Sequence, residues 1–235
     1  MEKKKMKIRS YGLIAAVVFG SMAVILIAIN IYNKKDNPTD WLVYSKSLDK
    51  VAVTVDGQKL TLRDMAFYIA YDEAMVEEQA EIYDAENTSR YWNVMTNGVF
   101  IRQLSKENAM KKAIHDEVFY QMAMHDNLEL TKEDEDTIAE VQHMFWNSIM
   151  YEDKQTRLGV SQEDLNTAIR KIGIAQKYQS IYAQLEQTDM EAYDIGSEAY
   201  ENLLEEHTVQ INKAVWERVN YGDVTLEHDN SIFQE

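Results

Sequence analysis

The chain has 235 residues, 24 of them basic and 40 acidic, for a net charge of −16, with one proline, eight glycines and no cysteine. Lack of thiols excludes disulfides, thiolate metal sites, thiol nucleophiles and a lipoprotein signal. Seven of the basic side chains and only one acid fall in the first 35 residues; the remaining 200 carry 17 basic and 39 acidic groups, a net of −22, which repels nucleic acid and anionic headgroups and keeps such a domain soluble.

From Ser10 to Asn33 the chain runs 24 positions without a charge, and Leu13–Phe19 and Met22–Ile29 are almost wholly apolar. A membrane span needs about 20 such residues. Lys3, Lys4, Lys5, Lys7 and Arg9 precede the run and only Lys34 and Lys35 follow it, a bias that keeps the N-terminus in the cytoplasm. The nearest small-x-small match, Ser21-Met22-Ala23, lies inside the apolar run, which points to an uncleaved signal anchor. The expected organisation is a cytoplasmic basic segment (1–10), a transmembrane helix (11–33), a stalk (34–49) containing Pro38, a helical extracytoplasmic domain (50–220) and a flexible polar tail (221–235).

The domain opens on Val51–Val55, which alternates and is rich in β-branched residues; Asp56-Gly57 offers a tight turn, and Gln58–Leu62 resumes the alternation. This predicts a β-hairpin, which needs a third strand or a helix to lie against. Thr61 caps a helix over about 62–83 whose stripe is Met65, Tyr68, Ile69, Met75, Val76 and Ile82. Asn97-Gly98 breaks the chain before a long helix over about 99–126 carrying Phe100, Leu104, Ile114, Val118 and Met122. Thr131-x-x-Asp134 and Ser161-x-x-Asp164 have the form of capping boxes. The first opens a helix with the stripe Ile138, Val141, Phe145 and Ile149, and the second a helix with Leu165, Ile169, Ile172 and Tyr182. A last helix is expected over about 190–206. Thr208–Asn212 alternates once more and supplies a candidate third strand, which would join the two ends of the domain in one small sheet.

Catalytic signatures are missing from the sequence. The five histidines form neither HExxH nor HxH and read as surface residues; the scattered glycines form no phosphate-binding loop, and no serine lies in GxSxG. Neighbouring acids such as Glu77-Glu78 do not face one another on a helix. No cofactor or metal is expected. What stands out is 12 methionines and 14 tyrosines among amphipathic helices, since flexible thioethers and amphipathic rings suit surfaces that accept varied apolar partners.

The order of these pieces resembles the N-terminal chaperone domain of the SurA and PrsA group of extracytoplasmic foldases. Val51–Thr61 is similar to that family's strand, turn and first helix start, with Asp56 in place of the usual asparagine. Ser161-Gln162-Glu163-Asp164-Leu165 and Ala175-Gln176-Lys177-Tyr178 are similar to the opening and close of its long helix. Tyr200–Leu204 with Val209–Trp216 resembles the C-terminal part, which in this family folds back on the N-terminal one. Members often insert a parvulin-type prolyl isomerase before that return segment; here only about ten residues, 186–196, occupy the place. The resemblance implies a mainly α fold with a small β-hairpin or three-stranded sheet. It further implies a membrane-anchored chaperone that binds unfolded or nascent exported polypeptides without isomerase catalysis, in an apolar cradle for which Met75, Met122, Phe145, Trp146 and Tyr182 are the candidate contacts. The alternative is a membrane-tethered structural adaptor for one dedicated export or envelope partner.

Overall fold

The structure, a computed structural model, describes residues 40–150 and 152–228. The expected transmembrane helix, the first part of the stalk and the last seven residues lie outside the described residues. Among the described residues no helix is long and apolar enough to cross a membrane. The fold is mainly helical with a small antiparallel sheet.

Strands β1 (Val51–Val55) and β2 (Gln58–Thr61) form the hairpin the sequence predicts. Its turn is closed by Asp56 at φ 48° and Gly57 at φ 84°, the positive values that a two-residue turn matching strand twist requires. Two further strands, β3 (Met95–Thr96) and β4 (Val99–Phe100), make a second, separate hairpin. Strand β5 (Val209–Ile211) pairs antiparallel with β1, giving the order β2-β1-β5. The start and the end of the domain therefore share one sheet. Asp56 also ties β5 down, accepting from the Thr208 amide at 2.7 Å while its other oxygen lies 2.6 Å from His207 Nδ1.

Among the described residues there are eight α-helices in chain order: α1 (Leu62–Tyr83), α2 (Ser89–Trp92), α3 (Ile101–His125), α4 (Lys132–Ser148), α5 (Glu152–Leu158), α6 (Gln162–Leu185), α7 (Glu198–Glu205) and α8 (Lys213–Trp216). Three of them start on the same device. Thr61, Thr131 and Ser161 each pair with an aspartate three residues on, so that the carboxylate accepts from the cap amide at 2.7–2.9 Å; this satisfies a donor that a helix start leaves unpaired. Met65, Ala66, Ile69 and Ala70 of α1 are fully buried, and α1, α3 and α6 pack together as the central layer, with the sheet against both α1 and α3.

Sequence and structure part at several points. Residues 190–206 are not one helix: a 3-10 turn at Met190–Tyr193 is followed by Gly196 at φ 87° and a fresh N-cap at Ser197, whose hydroxyl accepts from the Tyr200 amide. The stalk read to residue 49 ends earlier, because the Leu42 amide donates to the Arg218 carbonyl at 2.8 Å and Tyr44 and Leu48 are buried. The tail read as flexible from 221 is packed as far as His228: Tyr221, Val224, Thr225 and Leu226 are buried. Glu73 in the middle of α1, itself inaccessible to solvent, accepts four hydrogen bonds of 2.6–3.1 Å from Gly222, Val224 and the amide and hydroxyl of Thr225.

Candidate functional site

The five cradle positions do not meet in one hollow. Phe145 is buried, 5.1 Å from the Phe67 ring and edge-on to Trp146. Trp146 is half-buried and donates its indole N–H to Asn166 Oδ1 at 2.9 Å. Tyr182 belongs to a different group, the aromatic cluster that docks the C-terminal turns: its ring lies 5.0 Å from Tyr193 and 6.3 Å from Phe119, with Tyr178 stacked alongside. Met75 and Met122 are half-buried on α1 and α3. None of the five lines either of two cavities that open at the surface. One, of ≈ 490 Å³, lies between α4 and α6 against Gln142, Gln162, Asn166 and Arg170. The other, of ≈ 520 Å³, runs beside β2 against Lys59, Asp64, Glu117, Tyr120, Met124 and Lys171. Polar and charged side chains dominate both linings, and Lys171 is itself bound to Glu117.

Histidines do not all read as surface groups. His115 is buried, with Nε2 3.0 Å from the Tyr193 carbonyl and its ring against Phe119 and Tyr200. His228 lies between Asp223 (2.8 Å) and Glu77 (3.3 Å). Burial alone would lower its pKa, but the hydrogen bonds to these two carboxylates lift it to about 9. Burial likewise acts to raise Glu77, yet bonds from His228, Thr88 and Trp92 hold it at about 2. This is an ion cluster that fastens the C-terminal segment to α1. Among the described residues no group of three or more histidines and carboxylates is placed to hold a metal ion.

Large apolar side chains stand exposed at the C-terminal end of α1 and on the β3–β4 hairpin. Ile82 and Tyr83 stand 77% and 57% exposed, and Met95 and Phe100, directly paired across the β3–β4 hairpin, stand 58% and 45% exposed. Tyr83 leans on Tyr91 with ring centroids 5.4 Å apart. The Val94 amide donates to the Tyr91 carbonyl at 2.9 Å and the Ile101 amide to the Val94 carbonyl at 3.0 Å, so one tight turn links the tyrosine pair to the hairpin. Beneath it, Trp92 is buried with its indole N–H on Glu77 at 2.8 Å. In the sequence Ile82 falls at helical spacing on the first long helix and Phe100 on the helix expected over about 99–126. The signal that would have found this surface is Asn97-Gly98 flanked by Met95-Thr96 and Val99-Phe100, a hairpin pattern rather than a simple helix break.

Compared with known proteins, the chain matches no family model, no curated protein and no solved structure.

Proposed function

We propose that this chain is a membrane-anchored, extracytoplasmic binder of unfolded exported polypeptides, a chaperone of the SurA and PrsA type without isomerase catalysis. The observation that carries the reading is the apolar surface of Ile82, Tyr83, Met95 and Phe100, four large side chains left in water on a well-packed base. Grouped exposure of this kind marks interaction surfaces. Covering it removes apolar area at about 25 cal/mol per Å², enough for weak, reversible, sequence-tolerant capture. Pairing of β1 with β5 supports the same reading, because it brings the end of the domain back to its beginning as the resemblance implies. The N-terminal anchor would hold this surface near the site where exported chains emerge, raising its effective concentration there.

The test is aggregation of a chemically denatured secreted client, diluted into stoichiometric amounts of the full chain in phospholipid nanodiscs. We expect aggregation to slow, and the protection to be lost in Tyr83→Ser/Met95→Ser/Phe100→Ser, whose far-UV spectrum should match that of the unaltered chain because all three sites are exposed. Unchanged aggregation with the intact chain would sink the reading. A second reading, an adaptor holding one dedicated envelope partner, is carried by the same exposed apolar side chains, which one fixed partner would cover as well as many clients. It predicts a single protein recovered by crosslinking from position 95 in cells and no binding of denatured clients.

A further inference from the structure

The apolar surface at the end of α1 is set among carboxylates. Between Glu77 and Phe100 the chain carries five carboxylates and one guanidinium, a net of −4. That guanidinium, on Arg90, is already bound to Asp84 at 2.8 Å. Lys154 on α5 faces Glu73, Glu77 and Glu81, which leaves the exposed Glu78 and Glu86 without an ion pair among the described residues. Glu78 and Ile82, four residues apart on one helix, are surface neighbours, and Glu86 lies in the turn just past Tyr83. The faces of the Tyr83 and Tyr91 rings carry negative charge density as well, and attract cations. Apolar exposure and charge thus select the same occupant.

We propose that this surface prefers polypeptide segments in which Lys or Arg alternate with aromatic or aliphatic residues. The apolar side chains cover Tyr83, Tyr91, Met95 and Phe100, and the cations reach Glu78 and Glu86. The inference rests on the polypeptide-binding reading above and names its substrate class. An acidic or purely polar segment lacks one of the two contributions and binds more weakly. The long-range field of the −22 domain steers cationic segments toward it but cannot by itself hold them at one place.

Four fluorescein-labelled peptides of equal length, alternating Lys/Phe, Glu/Phe, Ser/Phe and Lys/Ser, would be titrated by anisotropy against the full chain in zwitterionic nanodiscs. Lys/Phe should bind about tenfold more tightly than each of the others and weaken about tenfold between roughly 50 and 500 mM salt, as exposed charges are screened. Glu78→Lys/Glu86→Lys should erase its advantage over Ser/Phe, whereas Glu129→Lys/Glu140→Lys, at exposed acids elsewhere on the domain, should leave it intact. Equal binding of Glu/Phe and Lys/Phe would overturn the charge selection while leaving polypeptide binding standing. If Lys/Ser binds as tightly as Lys/Phe, or the distant pair of substitutions weakens binding as much as the local pair, cation capture is a diffuse property of the acidic domain and the assignment to this surface is wrong. Failure of every peptide, together with failure to protect a denatured client, removes the polypeptide-binding reading itself.

Discussion

With 4% of its side chain exposed, His228 is the residue on which the C-terminal segment turns. Its ordinary pKa is near 6.5 and its folded value is about 9, so it stabilises the fold fully below pH 6.5 and loses that contribution as pH rises through 9. At 1.36 kcal/mol per unit, the contribution is on the order of 3 kcal/mol. Lys106 acts in the opposite sense: burial lowers it to about 8, and the fold therefore gains stability between pH 8 and its ordinary value near 10.5. The difference between the intact chain and His228→Gln isolates the histidine. In urea titrations that difference should be about 3 kcal/mol at pH 6 and shrink toward zero by pH 10. A gap that stays constant with pH would mean that His228 acts by packing alone.

At the scale of elements, the contact between α4 and α6 is set by a missing side chain. A Cβ placed on Gly173 would lie 2.7 Å from Ile138 Cγ1 and 3.0 Å from Cδ1, so the two helices approach over a space that only glycine leaves. Overpacking of this kind costs about 1–3 kcal/mol, against a gain of about 1 kcal/mol in helix propensity. Gly173→Ala should therefore be destabilising in the natural background, by roughly 1 kcal/mol. In an Ile138→Ala background the clash is gone, and the same substitution should be stabilising. Equilibrium unfolding of the four chains closes the cycle; additive effects would show that the helices do not press on one another here. The sheet depends on one residue in a comparable way, since Asp56 both forms the β1–β2 turn and holds the Thr208 amide and the His207 ring that lead into β5.

Over the whole molecule, charge is the dominant strain. The 200 residues from Asp36 onward carry a net of −22, and self-repulsion of that size destabilises a compact state while guarding against association. Screening should relieve it: the melting temperature of the full chain in nanodiscs should rise by several degrees between about 10 and 300 mM salt, where the Debye length falls below about 10 Å. A fall over that range would mean that attractive pairs such as Arg170 with Glu135 and Lys112 with Asp72 outweigh the repulsion. Glu73 concentrates the architecture at this scale. By accepting four bonds from residues 222–225 it fastens the C-terminal segment to the middle of the first long helix, independently of the strand pairing in the sheet that precedes that helix.

By itself the sequence determined what local chemistry controls. The β1–β2 hairpin, the span of α1, the starts of α4 and α6 and the third strand all follow from alternation, an Asp-Gly turn and Ser/Thr-x-x-Asp caps, each complete within a few residues. It did not determine which apolar side chains are left in water, because a stripe with helical spacing looks the same whether another element covers it or not. Ile82 is exposed although Val76 and Ala80 in the same half of α1 are buried, so this end of the helix is covered on one face only. Phe100 is exposed because the Asn97-Gly98 turn takes it into a strand before the helix starts. Only the tertiary structure places Glu73 and His228 against a segment about 150 residues away, since hydrogen bonds between residues so far apart leave no periodic trace in the chain.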